Sequence, residues 1–74
     1  MFIVIEIQTF ANGSVSTLTY QYDTLMKAEA KYHTILSGAA ISVLPCHAAV
    51  IMTNAGTVCK SEFYRHEEEE QIAE

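Results

Sequence analysis

The chain has 74 residues and a mass of 8.2 kDa; half of it is hydrophobic and its net charge is −5. A globular chain of that mass exposes roughly 4,500 Å² against about 11,900 Å² unfolded, a burial of roughly 60% that is marginal for a lone subunit. The negative charge lies in Glu67 to Glu70 and Glu74, while the four cations, Lys27, Lys31, Lys60 and Arg65, balance Glu6, Asp23, Glu29 and Glu62 in a neutral body. Phosphate tracking needs several cations acting together, so nucleic acid and anionic membrane are excluded as expected partners.

Residues 2 to 10 alternate with period two, placing Ile3, Ile5 and Ile7 on one side and Phe2, Val4, Glu6, Gln8 and Phe10 on the other. Asn12-Gly13 is the residue pair that a two-residue type I′ hairpin turn demands, since both of its positions need positive φ. With that loop Ile7 faces Leu18, Ile5 faces Tyr20 and Ile3 faces Tyr22, which gives one apolar and one polar face. Tyr20, Tyr22 and Tyr32 then cluster on the core side.

Asp23 or Thr24 caps a helix of about 14 residues, near the usual globular length. Leu25, Ala28, Tyr32, Ile35 and Ala39 share a stripe, with Leu36 beside it, and Gly38 is the expected stop. His33 falls on the solvent side. A second apolar run covers Ile41 to Thr53, apolar on both faces, with Pro45 at a bulge, at an edge or facing away from its neighbour. Asn54-Ala55-Gly56 turns the chain, and Thr57 to Arg65 returns, with a register uncertain by one residue.

Hairpin, helix, hairpin predicts an α+β domain, ββαββ, over residues 1–66: a four-stranded antiparallel sheet of order 2-1-3-4 with one helix on one face. Residues 67–74, a run of glutamates, are expected to be a solvated, disordered tail. The sheet's other face is left uncovered, with Phe2, Val4, Phe10, Val43, Ile51, Val58 and Tyr64 on it. Val43, Ile51, Val58 and Tyr64 are the expected interface, and a second copy forming a homodimer is the expected occupant, a different protein being the other.

The chemistry-bearing residues are sparse. Cys46, Cys59, His33, His47 and His66 show no metal-ligand spacing, and Cys46 and His47, as strand neighbours, point to opposite faces. Register places Cys46 roughly 17 to 20 Å from Cys59, too far for a disulfide, so both read as free thiols. No metal, cofactor or catalytic residue is expected. The three glycines are used by turns and a cap, and no phosphate loop remains. The alternative to an interaction module is a small-molecule-binding or enzymatic site at a subunit interface, built from His47, Tyr64 and His66; a His–Tyr pair across strands is more commonly packing. The opening MFIVIEIQTF has no basic leader or small-residue cleavage site and falls short of the ~20 residues that span a bilayer, which points to a reducing cytoplasm.

The segment KAEAKYHTILSGAAIS, followed by His47 and the return from Gly56 to Tyr64, resembles a group of short proteins of unassigned function from gut-dwelling Gram-positive bacteria, their phages and mobile elements. The resemblance spans most of residues 1–66. It implies a bacterial or phage intracellular setting and no particular activity.

Overall fold

A computed structural model describes residues 1–66; the acidic segment 67–74 lies outside the described residues. Strands β1 (Phe2–Thr9) and β2 (Val15–Tyr22) precede helix α1 (Leu25–Ala40), and β3 (Cys46–Thr53) and β4 (Val58–Arg65) follow it. The four strands form one antiparallel sheet in the order β2-β1-β3-β4, and α1 packs across it. This is the expected α+β architecture.

The first hairpin departs from expectation by one residue. Gly13 N–H donates to the Phe10 carbonyl and Phe10 N–H to the Ser14 carbonyl, both at 2.9 Å. The loop is therefore three residues, Ala11 to Gly13, a type I turn closed by a glycine bulge. Gly13 has φ 91°, whereas Asn12 has no positive φ, and that rules out the type I′ turn. The Asn12 side chain instead accepts from Ser14 N–H at 2.9 Å, a local bond that rewards the wider loop. The second hairpin has the same form, with Thr53 N–H to Thr57 O, Gly56 N–H to Thr53 O and Gly56 at φ 96°.

A one-residue slip exchanges faces. Val4 pairs with Tyr20 and Phe2 with Tyr22, while Ile5 faces Thr19 and Ile7 faces Thr17. Leu18, Tyr20 and Tyr22 therefore join Val4 and Phe2 rather than the isoleucines. On the other side β2 offers Val15, Thr17, Thr19 and Gln21. The helix covers the side to which β2 brings its tyrosines, and this reverses the expected assignment of core and open faces. The core is Val4, Ala49 and Ile51 of the sheet against Ala28, Tyr32, Ile35 and Leu36 of α1, with Phe2, Tyr20 and Tyr22 at its margin. Ala49, without a bulky side chain, lets the helix lie close.

Thr24 is the N-cap, its hydroxyl accepting from Lys27 N–H at 3.3 Å. Asp23 instead forms an exposed pair with Lys27. Gly38 does not stop the helix, which continues to Ala40. Two contacts close the end: Ser42 N–H and the His66 ring Nε2 both donate to the Ala39 carbonyl, at 3.2 and 2.9 Å. Leu25, placed on the buried stripe by spacing, is exposed at the first turn, and His33 is exposed as expected. The third strand begins at Cys46 rather than Ile41. Pro45 offers no N–H to the ladder, and Ser42 Oγ accepts from Leu44 N–H to form a local turn before it.

Candidate functional site: an open sheet face and a buried histidine–glutamate pair

The face opposite α1 is a product of strand parity. It carries Ile3, Ile5 and Ile7 of β1 and, directly paired with them, Met52, Val50 and Ala48 of β3. Phe63 of β4 pairs with Ala48 and is 57% exposed, and Val15 and Val58 stand at the flanks. The central residues are only half-buried although they occupy inner strands, because no described element lies over them. The charged ladder residue on this face is Arg65, at the end of β4, with its guanidinium 5.6 Å from the Phe63 ring centre. Threonines and Gln21 of β2 complete the surface. It is broad, apolar and nearly uncharged.

The residues expected to form the interface do not come together there. Ile51 has 0% exposure and is a central core residue beneath α1. Tyr64 lies on the helix side opposite His47. Val43 is 95% exposed but belongs to the α1–β3 loop, outside the ladder. Val58 lies on the open face, paired with Met52. Phe2 and Val4, also expected on the uncovered side, are packed with the core. The hairpin slip, the late start of β3 and the extra residue at Cys59, which puts Val58 and Tyr64 on opposite faces, account for these placements.

The second feature lies on the helix side of the sheet, across β1 and β3. His47 is 7% exposed, and its Nε2 sits 2.7 Å from Glu6 Oε2, so the ring N–H donates to the carboxylate. Gln8 Nε2 donates to the same oxygen at 3.2 Å. Gln8 is the direct cross-strand partner of His47, and Glu6 is its diagonal neighbour on the same face. His47 Nδ1 is buried with no hydrogen-bond partner among the described residues. Glu6 escaped the sequence reading because no tight turn sets the β1–β3 register; the signal available was parity, which puts Glu6 and Gln8 on one face.

His47, Tyr64 and His66 do share one region, but one nitrogen of each imidazole serves the fold. His47 Nε2 holds Glu6, and His66 Nε2 caps α1. There is no cavity among the described residues, and no group of three or more acidic, histidine or cysteine side chains there could hold a metal. Cys46 and Cys59 are free thiols on separate stretches of strand, Cys59 being the extra residue where the β3–β4 register shifts. Toward the other end of the helix, Lys60 Nζ binds Glu29 at 2.7 Å. That hydrogen bond holds the Glu29 carboxyl below its ordinary range and raises the lysine. Burial pushes the Tyr32 phenol up, aided by the charge of Glu62.

No described helix is long and apolar enough to cross a membrane. Comparison with protein-family models, with curated proteins and with solved structures found no match.

Proposed function

We propose that this protein is a non-catalytic interaction module that self-associates through its sheet, two copies stacking their open faces about a two-fold axis. The observation that carries this reading is the apolar surface of Ile3, Ile5, Ile7, Ala48, Val50, Met52 and Phe63, which no described element covers. A second copy is the favoured occupant on two grounds. The surface is nearly free of charge, so meeting its own image brings no like charges together except Arg65, which stands at a corner. The area is also right: four paired strands of eight residues span about 26 by 19 Å, and with side-chain relief they supply most of the ~800 Å² per partner of an ordinary interface.

Stacking sheets about 10 Å apart would place the helices outside and the isoleucine rows inside, with Ile5 and Val50 near the axis. Burial marginal for a monomer becomes ample for the dimer. An intracellular, cytoplasmic setting is part of this reading and suits two free thiols. A ligand site at His47, Tyr64 and His66 has less support, because both imidazole Nε2 atoms are already engaged.

Sedimentation from micromolar to millimolar concentration tests the reading. The wild type should self-associate, and Ile5→Lys should halve the mass of the assembly with an unchanged far-ultraviolet spectrum. A wild type that stays monomeric throughout, or an Ile5→Lys variant whose mass equals that of the wild type at every concentration, overturns it.

A further inference from the structure

The two edges of the sheet differ in how well they are defended. An open edge strand is a template for another strand, and proteins blunt such edges with charge, proline or a bulge. β4 has these defences: a register shift at Val58–Cys59 and the charges of Lys60, Glu62 and Arg65, with Lys60 drawn back to Glu29. β2 has none. Its eight residues, VSTLTYQY, include no charge and no proline, and its ladder with β1 is regular throughout. The nearest cation, Lys31, is engaged over the Tyr20 ring at 4.2 Å.

The ladder pattern shows which backbone groups are on offer. Phe10 and Ser14 form a hydrogen-bonded pair, so Ser16, Leu18 and Tyr20 direct their amides at β1. Thr17, Thr19 and Gln21 therefore point theirs out of the sheet. We propose that this edge pairs antiparallel with β2 of a second copy, joining two sheets into one of eight strands. Direct partners in an antiparallel pair share a face, so the register must keep odd residues opposite odd ones. Placing Thr19 at the axis satisfies this. Thr17 then faces Gln21 of the other copy through paired outward amides, and on the helix side exposed Leu18 meets a Tyr20 ring. A charged or proline-bearing partner strand fits this neutral edge less well than β2 itself. The inference stands on the edge alone; used together with open-face stacking, its separate two-fold axis would build a tetramer.

Amide hydrogen exchange resolved by residue tests it, read with sedimentation. At millimolar concentration the outward amides of Thr17, Thr19 and Gln21 should exchange at least tenfold more slowly than in dilute solution, while those of Ser16, Leu18 and Tyr20 are protected at both. Leu18→Lys should abolish the outward protection and leave the inward set unchanged, and Thr19→Pro, which deletes an outward donor only, should do the same. Ile5→Lys, aimed at the open face, should leave the outward protection in place. If the outward amides exchange freely at every concentration, the edge pairing is wrong even where a stacked dimer persists. If Ile5→Lys removes their protection, it came from stacking and the edge proposal fails. Dimers sensitive to Leu18→Lys but not to Ile5→Lys would sustain the edge and refute the stacking.

Discussion

Substituting Ile51 tests the assignment of faces most directly, because the expected and observed folds give it opposite environments. Ile51 is at 0% exposure, packed with Val4 and Tyr32 in one cluster. Ile51→Ala removes about three methylene equivalents, worth roughly 2.4 kcal/mol in transfer alone, and the residual cavity raises the cost toward about 3 to 4 kcal/mol. A domain of this length has a total stability of about 4 to 11 kcal/mol, so the variant loses a large share of it. Ile51→Val offers a gentler step of about 1 kcal/mol, equivalent to a fall in Tm of about 4 to 8 °C. The control is Ile5→Val on the open face, where the lost methyl faces solvent in the free subunit and the cost should stay below about 0.5 kcal/mol. Urea denaturation of both variants, at concentrations dilute enough to suppress association, gives the comparison. An Ile5→Val loss larger than that of Ile51→Val would mean that the isoleucine row, and not Ile51, lies beneath the helix.

The turns, the buried pair and the core phenol each give a further expectation. Gly13→Val should cost about 1 kcal/mol or more, because a β-branched residue resists the positive φ although no neighbouring atom obstructs its Cβ, whereas Gly13→Asn should cost less; thermal denaturation reads both. His47→Leu leaves the Glu6 carboxylate with Gln8 but without its closest donor and should destabilise by about 1 to 3 kcal/mol, while the double change Glu6→Leu with His47→Leu should recover much of that, as a double-mutant cycle would show. Tyr32 has a phenol raised above the ordinary value of 10.0, so the folded chain holds that proton more tightly than the unfolded one. Its contribution is complete below that pH and is lost as pH rises through the folded value; ultraviolet titration should show a phenol ionising above the ordinary value which is missing from Tyr32→Phe, and the same variant should flatten the alkaline loss of stability.

Several features were legible from residue order alone. Period-two runs, two glycine-bearing turns and one helical stripe specify ββαββ, and a helix between hairpins brings β3 parallel to β2 and makes 2-1-3-4 the simplest sheet. Ala28, Tyr32, Ile35, Leu36 and Ala39 are buried as their spacing predicts, since that spacing is local. The pairing of His47 with Tyr64 was one of the two registers that the second hairpin allowed, and the extra residue at Cys59 selects it over the Phe63 partner that the loop alone would give.

What the tertiary structure decided is parity. Asn12-Gly13 fits a two-residue or a three-residue loop, and the choice turns on a side-chain bond from Asn12 and on where the tyrosines of β2 find company. β1 is apolar on both faces, with Phe2 and Val4 on one and three isoleucines on the other, so its own pattern could not say which lies under α1. The Glu6–His47 pair depends on the β1–β3 register, set by packing across a long connection rather than by any turn. Local periodicity determines which elements form. Only the competition among whole faces for a single helix determines which residues are left open to a partner.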